Sequence, residues 1–123
     1  ADNYKIFITT FHRAPYNVER NYFYLIYREN NAKKAVSGIY HELMHFLFHQ
    51  NYWGYCESKG LDDEKIHVLK ESLTILLNKI LEKRGLPLDK GYMAHQELRE
   101  KIKNYQKNSR GFKNLLEEII KFV

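Results

Sequence analysis

A single cysteine, Cys56, stands in the 123-residue chain, so no internal disulfide can form and a cysteine zinc cage is excluded. No run of about 18 apolar residues occurs, which excludes a membrane-spanning helix. There are only two prolines, no internal repeat and no low-complexity tract. The first residues, Ala-Asp-Asn-Tyr-Lys, lack the basic-then-apolar layout of a secretory signal. They also lack an initiator Met, so the chain reads as a processed or trimmed product, compatible with a removed leader. These absences favour a soluble protein of a reducing, cytoplasmic compartment. The length suits one domain spanning 1–123 and is too short for two independent cores.

Charge and aromaticity are unevenly spread. Residues 1–78 carry nine basic and nine acidic side chains, whereas residues 79–123 carry eleven and six and hold the whole net charge of +5. Fourteen of the 18 aromatic residues lie at or before Tyr55, so a neutral aromatic part precedes a basic aliphatic one. Segments 4–11 and 22–28, rich in β-branched and aromatic residues, read as strands joined through a hairpin or wider loop at Pro15 and Asn17. A helix is expected from Ala32 to His49, entered at Asn30 and Asn31, and then a loop over 51–60. Asp62 or Asp63 caps the next helix, which carries Lys83 and Arg84 in its last turn and ends before Gly85 and Pro87. Two further helices follow, near 90–107 and 111–122. The expected class is therefore α+β: a β-rich 1–31, helices over 32–84 and basic helices over 85–123.

The first helix contains Tyr40-His41-Glu42-Leu43-Met44-His45, a His-Glu-x-x-His pattern. Residues four apart share a helix face, so His41 and His45 can each turn a ring nitrogen toward one ion. Zinc takes such nitrogens and needs a third protein ligand to leave one position for water. Glu42, one step round the helix, is placed to touch that water and act as general base. With this composition, chance gives roughly 0.025 matches to the pattern. Apolar residues fill most of the rest of the helix circumference, so the helix is expected to be buried on several sides with these polar groups in need of partners. The competing reading is three polar side chains hydrogen-bonded in a core.

Glu71, 26 residues after His45, is the strongest third ligand, because that separation allows one loop and an antiparallel return helix. His67 is the substitute, and His49 is disfavoured because three histidines at successive helix turns converge poorly on one ion. Leu69, Leu73, Leu76, Leu77 and Ile80 form a stripe about 180° from Glu71. Glu71 can therefore face the first helix only if its own helix is sandwiched; otherwise it is simply solvated.

With His41, Glu42, His45 and Glu71 in this order, the sequence resembles the gluzincin metallopeptidases and, in its size, the minigluzincins. The resemblance covers about residues 32–81. It implies a zinc-dependent peptidase holding one catalytic Zn2+ on His41, His45 and Glu71, with Glu42 as base and a peptide or protein as substrate. Many gluzincins carry an acidic residue four positions after the ligand glutamate to buttress a ligand histidine; here that position is Ile75, which leaves Thr74 or Asn78 to serve. Gluzincins also commonly set a His, Tyr or Arg opposite the base. His95 and Tyr92 are the candidates here, with Arg99 as support or substrate-carboxylate binder, all on one face of the expected 90–107 helix. The same family places an edge strand beside the cleft, where extended substrate can pair with it. The basic helices after Gly85 are the natural cover for such a cleft and would make the chain latent.

The alternative from another class is a non-catalytic module whose basic C-terminal helices contact nucleic acid or an acidic partner. Lys101, Lys103, Lys107, Arg110 and Lys113 are scattered among Glu97, Glu100, Glu117 and Glu118, as on an ordinary solvated surface, which argues against nucleic acid. His12 and the aromatic stretch Tyr52-Trp53-Gly54-Tyr55 read as structural.

Overall fold

The computed structural model describes residues 3–9, 16–27 and 31–123. His12, Pro15 and Asn30, singled out in the sequence, lie outside the described residues. The architecture is α+β, a small mixed sheet followed by helices. Strands β1 (Lys5–Thr9), β2 (Tyr16–Asn17) and β3 (Tyr22–Ile26) lie in the order β1-β3-β2. The expected pairing of the two long strands exists, but it is parallel, with Lys5 opposite Tyr22 and Thr9 opposite Ile26. A parallel pair cannot be closed by a tight turn. The hairpin is made instead by β2, which runs antiparallel to β3 on its other side. Asn21 takes φ 53 in the connecting turn, a conformation its short amide side chain tolerates.

Period-two alternation along β3 buries Phe23 and Leu25 and leaves Tyr22, Tyr24 and Ile26 half-buried. Helix α1 (Ala32–Asn51) lies on this strand, with the Phe46 ring 5.9 Å from that of Phe23. It is not enclosed all round, because Leu47 is 54% exposed. Its covered faces meet the sheet and the following helical rod, which are the faces that carry the polar residues of interest.

The expected loop at 51–60 is a second helix, α2 (Trp53–Ser58), set almost directly on the end of α1. Aromatic packing stabilises it there. Trp53 stacks on His49 with ring centroids 4.6 Å apart, and Tyr52 packs at 4.6 Å on Phe112. Next comes a helical rod made of α3 (Asp63–Ser72), a 3-10 stretch over Leu73–Leu77 and α4 (Asn78–Lys83). Asp62 caps it by accepting from the Lys65 amide at 2.9 Å. Beyond Arg84, the Leu86 amide bonds the Leu81 carbonyl at 2.9 Å and the Gly85 amide bonds that of Glu82 at 3.0 Å, which stops the rod as the sequence indicated.

Helix α5 (Gln96–Gln106) and helix α6 (Phe112–Ile119) pack on the other side of the rod. Ile66, Leu69 and Leu73 meet Ile102, Leu115, Leu116 and Ile119 there in one core. The rod is therefore sandwiched between α1 and α5, the condition under which Glu71 can face inward. Helix α5 begins later than expected. Gly91 at φ 65 and extended Tyr92 break the run, and a 3-10 turn over Met93–His95 leads in. None of the helices among the described residues is long and apolar enough to cross a membrane.

Candidate metal centre

Helix α1 projects His41 and His45 from successive turns toward α3, and α3 returns Glu71 toward them. The two Nε2 atoms are 2.8 Å apart. Glu71 Oε1 lies 3.3 Å from His45 Nε2, and Oε2 lies 3.7 Å from His41 Nε2. One donor atom from each residue fits within a 4.8 Å span. His67 packs edge-on against Trp53 and His49 stacks on it, so neither joins the group.

The tautomer of His41 follows from its other nitrogen. Nδ1 lies 2.5 Å from Asp89 Oδ2, so a proton there is donated to the carboxylate and Nε2 presents its lone pair to the cluster. Asp89 itself is tightly held. Thr74 Oγ1 donates to its Oδ1 at 2.8 Å, and Arg99 Nη1 lies 3.3 Å from the same oxygen. Asn78 exchanges two bonds with its backbone, at 2.7 and 3.0 Å, while Arg99 Nη2 donates to its carbonyl at 2.6 Å. Thr74 and Asn78, the side chains expected to steady a histidine, thus do so through Asp89 rather than by contact. Burial pushes the Asp89 carboxyl up, but the hydrogen bond and charge of His41, with Thr74 and Arg99, outweigh it and hold the group below its usual range. Burial likewise opposes protonation of His41, and Asp89 overrides it, so the imidazole is raised. His45, whose burial dominates over Glu71, is lowered. Burial would raise Glu71 too, but its hydrogen bond to His45 and the neighbouring cations keep it low.

Arg99 does not point outward to a substrate. It is 2% exposed and bridges Asp89, Thr74 and the Glu71 carbonyl, the last at 3.5 Å. Gly91 makes room for it: a Cβ there would sit 2.6 Å from Arg99 Nη1. Because α5 starts at Gln96, Tyr92 and Arg99 do not share one helix face. Tyr92 is 62% exposed on the segment ahead of α5, with its ring 5.5 Å from that of His95. The charge of Glu71, then burial, Glu42 and Asp89, push its phenol up.

Among the described residues four buried side-chain polar atoms have no hydrogen-bond partner: Glu42 Oε2, His45 Nδ1, His49 Nε2 and His95 Nδ1. Burial, reinforced by Glu71, pushes the Glu42 carboxyl up against the opposing pull of His41 and Lys70. Such a shift suits a group that must accept a proton near neutral pH. Two imidazole nitrogens and a carboxylate oxygen form a donor set that fits zinc or a similar borderline divalent ion, and the orphaned Glu42 oxygen beside them is consistent with a site built for more than protein atoms.

Asp89, Lys70 and Tyr16 were not legible as site residues. Lys70 is 2% exposed, donates to Tyr16 Oη at 2.7 Å and lies 3.9 Å from Glu71 Oε1. A lysine next to a glutamate in sequence carries no signal of burial, and Tyr16 belongs to a strand of only two residues. No family model matches the chain, and neither the curated proteins nor the solved structures contain a match.

Proposed function

We propose that the protein is a zinc-dependent peptidase of gluzincin type, in which His41, His45 and Glu71 hold the ion. The reading is carried by the convergence of these three donors beside the buried, unpartnered carboxylate oxygen of Glu42. When bound, the metal would supply a Lewis acid for the scissile carbonyl and would acidify water. Glu42 takes the proton from the attacking water and passes it to the departing amine. Tyr92 and His95 are assigned the role of donating hydrogen bonds to the carbonyl oxygen as it gains negative charge. Asp89 holds His41 in the tautomer that leaves Nε2 free, and Arg99 and Thr74 hold Asp89. In this reading the segments 1–31, 32–84 and 85–123 work as a single domain on a peptide or protein substrate.

Metal analysis tests the proposal. The purified protein is expected to carry about one zinc per chain. His41→Ala and His45→Ala should each lose it, and Glu42→Gln should retain it while hydrolysis of a peptide library disappears. Unchanged metal content in both histidine variants would sink the reading.

A further inference from the structure

Lys70 is the least expected side chain in the molecule. An ammonium group is rarely buried unless it is paired. This one is 2% exposed and its hydrogen-bond partner, Tyr16, is neutral. The Tyr16 ring lies under it at 5.0 Å from the centroid, which adds attraction but no countercharge. The carboxylate nearest to it among the described residues is Glu71, at 3.9 Å.

We propose that Lys70 is an internal counter-cation of the metal centre: it holds Glu71 in place while the site is empty and competes electrostatically with the incoming ion. This rests on the reading of His41, His45 and Glu71 as metal ligands. Lys70 offsets the negative charge that Glu71 presents to the metal. A unit cation within about 6 Å of a divalent ion opposes it by about tenfold in Kd even at the dielectric of water, and by more in a protein interior. The separation from Glu71 puts Lys70 within that range of whatever the carboxylate binds. The consequence is a preformed but exchangeable site, so occupancy, and with it any activity, follows the supply of free metal. Histidines and a glutamate with no adjacent cation would retain the ion far more firmly.

The experiment is a zinc titration of chelator-stripped protein against a chromophoric competitor. Lys70→Met should bind zinc about tenfold or more tightly than wild type. Equal or weaker binding overturns the inference while leaving the metal-site reading intact; a wild-type chain that binds no zinc overturns that reading and this inference with it. A second measurement needs no lysine variant. In metal-free protein Glu71→Gln should lower Tm, because the buried ammonium loses its carboxylate. A site made only of mutually repelling acids would be stabilised by that change, and an equal or higher Tm overturns the inference.

Discussion

Replacing Asp89 by Asn separates metal positioning from folding. The carboxylate is 12% exposed and has its two oxygens divided between His41 at 2.5 Å and the Thr74 and Arg99 pair at 2.8 and 3.3 Å. Alanine at this position would leave the Arg99 guanidinium buried without its carboxylate, a loss of about 3–5 kcal/mol. Against a total stability of roughly 5–15 kcal/mol, that change would confound any binding measurement. Asparagine keeps the shape and the backbone bonds to Asn78 and Arg99, and it keeps one acceptor oxygen. What disappears is the charge that fixes the His41 tautomer. Loss of such an outer partner weakens metal binding by about 10–100-fold. That corresponds to about 1.4–2.7 kcal/mol of binding free energy. The cost to the metal-free fold should be smaller, about 1–2 kcal/mol, because hydrogen bonds to charged groups are replaced by neutral ones. Zinc competition with a chromophoric chelator reads the first quantity and thermal denaturation of stripped protein the second. Asp89→Asn protein that binds zinc within about twofold of wild type would refute the positioning role.

Other positions give independent checks. Gly91→Ala combines a backbone at φ 65 with a Cβ 2.6 Å from Arg99, so it should lower stability by about 1–3 kcal/mol and weaken zinc binding too; unchanged Tm would count against the tight seating of Arg99. His49 is lowered to about 4 by burial, helped by Lys70, His45 and His67. A depressed value means the stability it supports is complete above its ordinary value of 6.5 and is lost as pH falls toward 4. Metal-free protein should weaken over that window, and His49→Gln should flatten that part of the profile; a His49 ring titrating at its ordinary value in NMR would contradict the reading. Burial pushes the Cys56 thiol up to about 11, so a thiol reagent at pH 8 should label the protein only as fast as it unfolds, and rapid labelling of the native chain would show the core placement to be wrong.

The cluster was legible where the chemistry depends on local spacing. His41 and His45 share a face because the helix repeat requires it, and the rod carrying Glu71 could be bounded from Asp62 at one end and Gly85 at the other. Sandwiching of that rod was a condition the pattern could state but not decide, because it depends on α5 and α6 covering the leucine stripe. The support of His41 was hidden for a different reason. A buttress is sought four residues after Glu71, where Ile75 stands, yet the carboxylate arrives from Asp89 beyond a helix end and a proline. Arg99 stood out as a cation, but sequence does not show whether a guanidinium turns inward or outward. The parallel direction of β1 against β3 was equally unreadable, since alternation specifies strands but not their sense.

The placement of Asp89 and Arg99 changes what can be cut away. A fragment ending at Gly85 would retain every proposed metal-binding atom, yet it would lack the brace that orients one of them and the arginine that secures the brace. The segment that carries Asp89 and Arg99 is therefore part of the frame of the cluster. In the proposed reading, proteolytic trimming at this point would weaken metal capture.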